Sequence, residues 1–113
     1  MNRGQRAERH AVIYLRKQGL KIVDTNFRAP GGEVDIIARD DQTLVFVEVR
    51  FRETNRFGSA RETIDNKKQQ RVIKAATHYL QQRQLWDKIA CRFDTICITT
   101  GDGLIWEQGA FEL

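Results

Sequence analysis

Two runs of strand-forming residues joined by a short polar break constrain this chain more than any other feature. Residues 32–39 read Gly-Glu-Val-Asp-Ile-Ile-Ala-Arg and residues 43–50 read Thr-Leu-Val-Phe-Val-Glu-Val-Arg, with Asp40, Asp41 and Gln42 between them. β-Branched and aromatic residues fill both runs, and the Asp/Gln cluster is turn chemistry, so a hairpin is expected. Closing it around Asp41-Gln42 pairs residues whose numbers sum to 83, which sets Asp35 opposite Glu48 on one face. Facing like charges destabilise a sheet, and carboxylates are seldom buried without a partner. A divalent cation would remove both objections, because hard cations take carboxylate oxygens.

The remainder of the chain supplies a frame for that hairpin. Gln5–Gln18 has a helical apolar stripe of Ala7, Ala11, Tyr14 and Leu15, stopped by Gly19. Leu20–Arg28 reads as a first strand, and Ala-Pro-Gly-Gly at 29–32 as a turn. Residues 51–63 form a basic loop with Phe51 and Phe57 interleaved. Asp65 or Asn66 then caps a helix reaching about Gln84, with Val72, Ile73, Ala76, Tyr79 and Leu80 as its stripe. Arg92–Thr99 and Leu104–Glu107 complete the strands, joined at Gly101-Asp102-Gly103. The order α-β-β-β-α-β-β predicts an α/β fold with one mixed sheet of about five strands flanked by helices. At 113 residues it is expected to be a single domain, 1–113.

Charge is distributed in blocks. Residues 1–28 carry net +5 and residues 50–74 again +5, whereas residues 29–49 carry −4. A metal site in a phosphate-binding groove has this pattern, and so does a solvated helix face beside a charged loop. No apolar run is long enough to span a membrane, the N-terminal residues lack a secretory apolar segment, and the cytoplasm is the default expectation. Cys91 and Cys97 read as reduced strand residues, too few for a structural zinc site.

Individual side chains carry two readings each. Glu8 borders the apolar stripe of the first helix; boundary residues of this kind are common, but a helix packed across the hairpin would bring Glu8 to Asp35 and Glu48. Glu33 lies one pleat from Asp35. Arg50 shares the face of Glu48, where it either forms an ion pair or stabilises charge growing on an attacked phosphate. Lys67 and Lys68 occupy the first turn of the second helix, where the macrodipole disfavours cations. His10 and His78 are isolated and read as structural, and Asp94 as a strand-end residue. Trp86, Leu104, Ile105 and Trp106 fit either core or interface.

Taken together, Glu8, Asp35 and Glu48-x-Arg50 resemble the PD-(D/E)xK nuclease superfamily, and more closely the YraN family of predicted endonucleases related to Holliday junction resolvases. The resemblance spans nearly the whole chain. Its marks are Gly4-x-x-Ala7-Glu8, Asn26-Phe27-Arg28, Gly32-Glu33-Val34-Asp35-Ile36-Ile37-Ala38, Phe46-Val47-Glu48-Val49, Phe57-Gly58-Ser59-Ala60, Lys68-Gln69 and Arg92-Phe93-Asp94. It implies a restriction-endonuclease-like fold and a Mg²⁺- or Mn²⁺-dependent DNA endonuclease. Asp35 and Glu48 would be the metal ligands, with Glu8 completing the site. The family pattern has lysine at the position of Arg50. Arginine keeps the charge but cannot act as a base at working pH, and Lys68 matches the family's helix lysine. Arg52, Arg56, Arg61, Lys67 and Arg71 are the candidates for phosphate contact, on branched or linear DNA. Two other readings stand beside catalysis: a nucleic-acid-binding module silenced by Arg50, and an interaction domain on a nuclease fold. Symmetric cutting of two strands would call for a homodimer.

Overall fold

The computed structural model describes residues 1–52, 65–101 and 103–112. Helix α1 (Arg3–Lys17) is followed by strands β1 (Lys21–Ala29), β2 (Gly32–Asp40) and β3 (Thr43–Arg52). Helix α2 (Asn66–Gln82) leads to β4 (Ala90–Thr99) and β5 (Leu104–Phe111). The five strands form one sheet in the order β1-β2-β3-β4-β5, antiparallel throughout except for β3 and β4, which run parallel. A parallel pair needs a crossover, and α2 lies within it. This is the mixed α/β architecture expected from the sequence, consistent with a restriction-endonuclease-like fold.

Helix α1 begins earlier than its stripe suggests because Asn2 and Gln5 form a reciprocal capping box. Asn2 Oδ1 accepts the Gln5 N–H at 2.8 Å, and Gln5 Oε1 accepts the Asn2 N–H at 3.0 Å. At α2, Asp65 is the cap, accepting the Lys68 N–H at 2.9 Å. The hairpin register is the one the sequence dictates: Asp40 pairs with Thr43, Ile37 with Phe46 and Ile36 with Val47. Asp41 takes the left-handed conformation its tight turn requires, at φ 56°.

Each face of the sheet buries its own core under one helix. Ala7, Ala11 and Leu15 of α1 cover Ile36, Ala38, Val45, Val47, Ile96 and Ile98. On the other face, Val72, Ala75, Ala76, Tyr79 and Leu80 of α2 cover Val34, Ile37, Leu44, Phe46 and Phe93. The approach of α2 is close at one point. A Cβ on Gly32 would collide with the Arg71 carbonyl, so only glycine lets the β1–β2 turn touch the first turns of α2.

Three expectations are corrected. Strand β3 runs to Arg52, which places Phe51 in the sheet rather than in a loop. Strand β5 continues to Phe111 instead of stopping at Glu107. Asp94 is not a strand-end residue but a fully buried member of β4. The last two share a cause. Asp94 Oδ1 accepts the Gly109 N–H at 3.0 Å, and its Oδ2 accepts Trp106 Nε1–H at 2.9 Å. With Gly109 at φ 60°, the β4–β5 register shifts and pairing resumes at Phe93 and Phe111. Arg92 completes the network, bonding Asp94 at 3.0 Å and Asp40 at 3.0 Å. Trp106 is partly buried against Tyr14, whereas Trp86 and Ile105 are exposed. No described helix is long and apolar enough to cross a membrane.

Candidate functional site

The site begins where strand alternation fails. Ile36 and Ile37 lie in opposite cores, as neighbours in a strand must, yet Val34 shares a core with Ile37 rather than with Ile36. Something inverts the pleat at Asp35. Opposite it in β1, Asn26 adopts φ 54°, between the regular pairs Thr25–Ile36 and Phe27–Val34. On the other side, the ladder to β3 is regular as far as Ile36–Val47, and there a side chain replaces the backbone: Asp35 Oδ2 accepts the Val49 N–H at 2.8 Å. This distortion therefore holds one oxygen of Asp35 in the sheet.

Glu48 meets Asp35 at this point. Burial, the hydrogen bond to Asp35 and the charge of Asp35 push the Glu48 carboxyl up to about 9, while Lys68 and then Arg50 oppose the shift. Glu8 approaches from α1. Its Oε1 accepts Asn26 Nδ2–H at 2.7 Å, and burial, then the charge of Asp35, raise its pKa against that hydrogen bond. The residue with the left-handed backbone in β1 thus also fixes Glu8.

The cations converge from α2. Glu48, Glu33, Lys68 and Arg71 line a pocket of about 220 Å³. An adjoining pocket shares Glu33 and Arg71 and continues to Arg28 and the Gly31-Gly32 turn, where Glu33 pairs with Arg28 at 3.6 Å. By strand alternation Arg50 projects on the α2 face with Glu48, but Lys68 is the stronger counter-charge on that carboxyl. Lys67 is exposed in the same helical turn, and Arg52 lies at the end of β3 close enough to Cys97 to influence its thiol. Arg56 and Arg61 lie outside the described residues.

Sequence reasoning gave Asn26 no role at the site, although an asparagine inside a strand-like run was a signal. It also missed Thr95, which pairs with Glu48 across the β3–β4 ladder. Its hydroxyl is buried and has no hydrogen-bond partner among the described residues. A threonine within a stretch ending in Ile-Cys-Ile was the available clue.

Among the described residues no three His, Cys, Asp or Glu side chains converge tightly enough to enclose a metal ion alone. The donor set is instead a carboxylate pair with Glu8 set back on Asn26. That suits Mg²⁺, which binds through one or two carboxylates and keeps water or substrate phosphate for its remaining positions. A divalent ion would also neutralise the facing carboxyls, so the residues present fit the group.

Comparison with known proteins agrees with the geometry in extent. Residues 7–98 match the family model of the uncharacterised protein family UPF0102. A UPF0102 protein of Shewanella frigidimarina is 48% identical over 111 residues, covering 98% of this chain and all of its own. One from Coxiella burnetii is 46% identical over 110 residues, covering 97% of this chain and 92% of its own. A third, from Hahella chejuensis, is 48% identical over 110 residues, covering 96% and 88%. The chain belongs to the UPF0102 family, the YraN family whose motifs it carries.

Proposed function

We propose that this protein is a Mg²⁺- or Mn²⁺-dependent DNA endonuclease, selective for branched structures. The observation that carries the reading is the contact between Asp35 and Glu48 at a break in the sheet, faced by Lys68 and Arg71 across a pocket. Two carboxyls brought together in a half-buried site are an electrostatic liability, of the kind found where a cation or a reaction needs them.

Asp35 and Glu48 would hold the metal, which supplies Lewis-acid charge to the scissile phosphate and lowers the pKa of the attacking water. The Val49 N–H holds one Asp35 oxygen and so restricts how the carboxylate can turn. Glu8, tied to Asn26, adds negative charge beside Asp35. Lys68 places an ammonium across from Glu48, where it would meet the charge that develops on the phosphate. Arg71 continues the cationic wall and, with Arg28, would take the neighbouring phosphates. Arg50 keeps a positive charge near Glu48 without serving as a base.

The test is cleavage of a labelled four-way junction beside flap, single-stranded and linear duplex DNA in Mg²⁺ or Mn²⁺. Cleavage is expected with the native chain and absent in Asp35→Ala and Glu48→Ala. Lys68→Ala is expected to lower the rate by about a hundredfold, more than Arg50→Ala does. No metal-dependent cleavage of any of these substrates would refute the reading. The arginine at position 50 favours one alternative, a DNA-binding module without turnover. Salt-sensitive binding, with cleavage appearing only in Arg50→Lys, would establish that reading instead.

A further inference from the structure

Helix α1 has a second polar side, away from Glu8. Arg3, Arg6 and His10 lie on the rim of a groove of about 240 Å³ whose floor is Ala7, Phe51 and Ile98. Arg3 lies over the Phe51 ring, its guanidinium carbon 5.7 Å from the centroid. Arg6 and His10 are exposed. No acid occupies the first turn of α1, so the macrodipole works against these cations, and the capping box leaves the groove's charge to the side chains.

We propose that this groove holds an unpaired nucleotide of the DNA substrate, its base on the Phe51 floor and its phosphates on Arg3 and Arg6. The inference rests on the proposed function and names the feature of branched DNA that the protein would read. Three observations carry it. An apolar floor with a cationic rim complements a nucleotide, which is a flat ring flanked by anions. An aromatic ring that already stacks a guanidinium can stack a base of any identity in its place, freeing the guanidinium for the phosphate. The groove is also close to the carboxylate pair: Phe51 follows Glu48 by three residues on β3, about 10 Å along an extended strand, on the opposite face. Glu8 of the same α1 turns reaches Asn26 beside Asp35. The first two turns of α1 thus link the two sites, and a strand crossing the end of β3 would touch both.

The experiment measures binding of the native chain in EDTA, by fluorescence anisotropy, to a blunt duplex and to the same duplex with a short single-stranded tail. The tailed DNA is expected to bind about tenfold more tightly. Phe51→Leu, which keeps the apolar volume, should remove that preference. Arg3→Ala/Arg6→Ala should lower the slope of log affinity against log salt by about 1.4, near 0.7 for each phosphate contact on a single strand. Arg6 is exposed, so the charge variant should fold normally, and thermal melts check both variants. Equal affinity of the native chain for the two DNAs, or variants that bind as it does, would overturn the inference while leaving metal-dependent cleavage at Asp35 and Glu48 intact. Failure to bind any DNA would overturn both.

Discussion

Replacing Glu48 by glutamine should free the stability of the metal-free protein from pH. Folded, the Glu48 carboxyl titrates at about 9 rather than 4.5, chiefly because it is buried and then because it touches Asp35. The raised pKa fixes the sign. Between those values the native state holds a proton that the unfolded chain has released, so stability falls as pH rises. The contribution is fully present below about 4.5 and is lost by about 9. One fully linked proton gives a slope of about 1.4 kcal/mol per pH unit. Partial contact with water and sharing of the proton with Asp35 reduce this, and about 2 kcal/mol is expected between pH 5 and 8. The amide of the Glu48→Gln variant would retain a donor to Asp35 without a charge to titrate. Urea denaturation in EDTA across that range should show the native chain losing stability relative to Glu48→Gln. Millimolar Mg²⁺ should reverse the loss, more at pH 8 than at pH 6, because metal and proton compete for the same oxygens. Parallel stability curves for the two proteins would refute the reasoning, since they would mean that the carboxyls do not share a proton.

Two further perturbations test the scaffold. Asp94→Ala should cost about 3–5 kcal/mol, because it leaves the Arg92 guanidinium, Trp106 Nε1 and the Gly109 N–H without their common acceptor; urea denaturation measures it, and a loss under about 1 kcal/mol would show that the network is dispensable. Gly32→Ala should cost about 1–3 kcal/mol by forcing the β1–β2 turn off the Arg71 carbonyl. It should also weaken cleavage, since the same contact sets Arg71 beside Glu33, and a variant as stable and active as the native chain would show that the turn and α2 move apart freely.

What the sequence made legible is whatever is decided locally. The sum-83 register follows from apolar runs around a tight turn, and the Asp65 cap follows from an acid before a helical stripe. The capping box of Asn2 and Gln5 was equally local but lay upstream of the first apolar residue of the stripe. The inverted pleat at Asp35 was not legible, because it involves Asn26 across the sheet and Val49 in the next strand. Asp94 was misread for a related reason. Its partners Trp106 and Gly109 lie beyond a turn, and Gly109 at φ 60° permits the register shift after which β5 continues.

The same distinction explains why the cation expected at position 50 is matched by one from elsewhere. Arg50 is placed by strand alternation alone, which sets its face but not its reach. Lys68 is placed by α2, whose first turn lines one pocket with Glu48. Lys67 and Lys68 stand at the positive end of α2, where the Asp65 cap supplies an acid but the first turn has none. Asp35 and Glu48 are also unfavourable in isolation, since they meet only by keeping a proton. Lys68 lowers the Glu48 pKa more than Arg50 does, so the two liabilities offset each other across one pocket. Facing each other across one pocket, with Asp35 held by the Val49 N–H, they form the arrangement expected where a metal ion and a phosphate complete the charge balance.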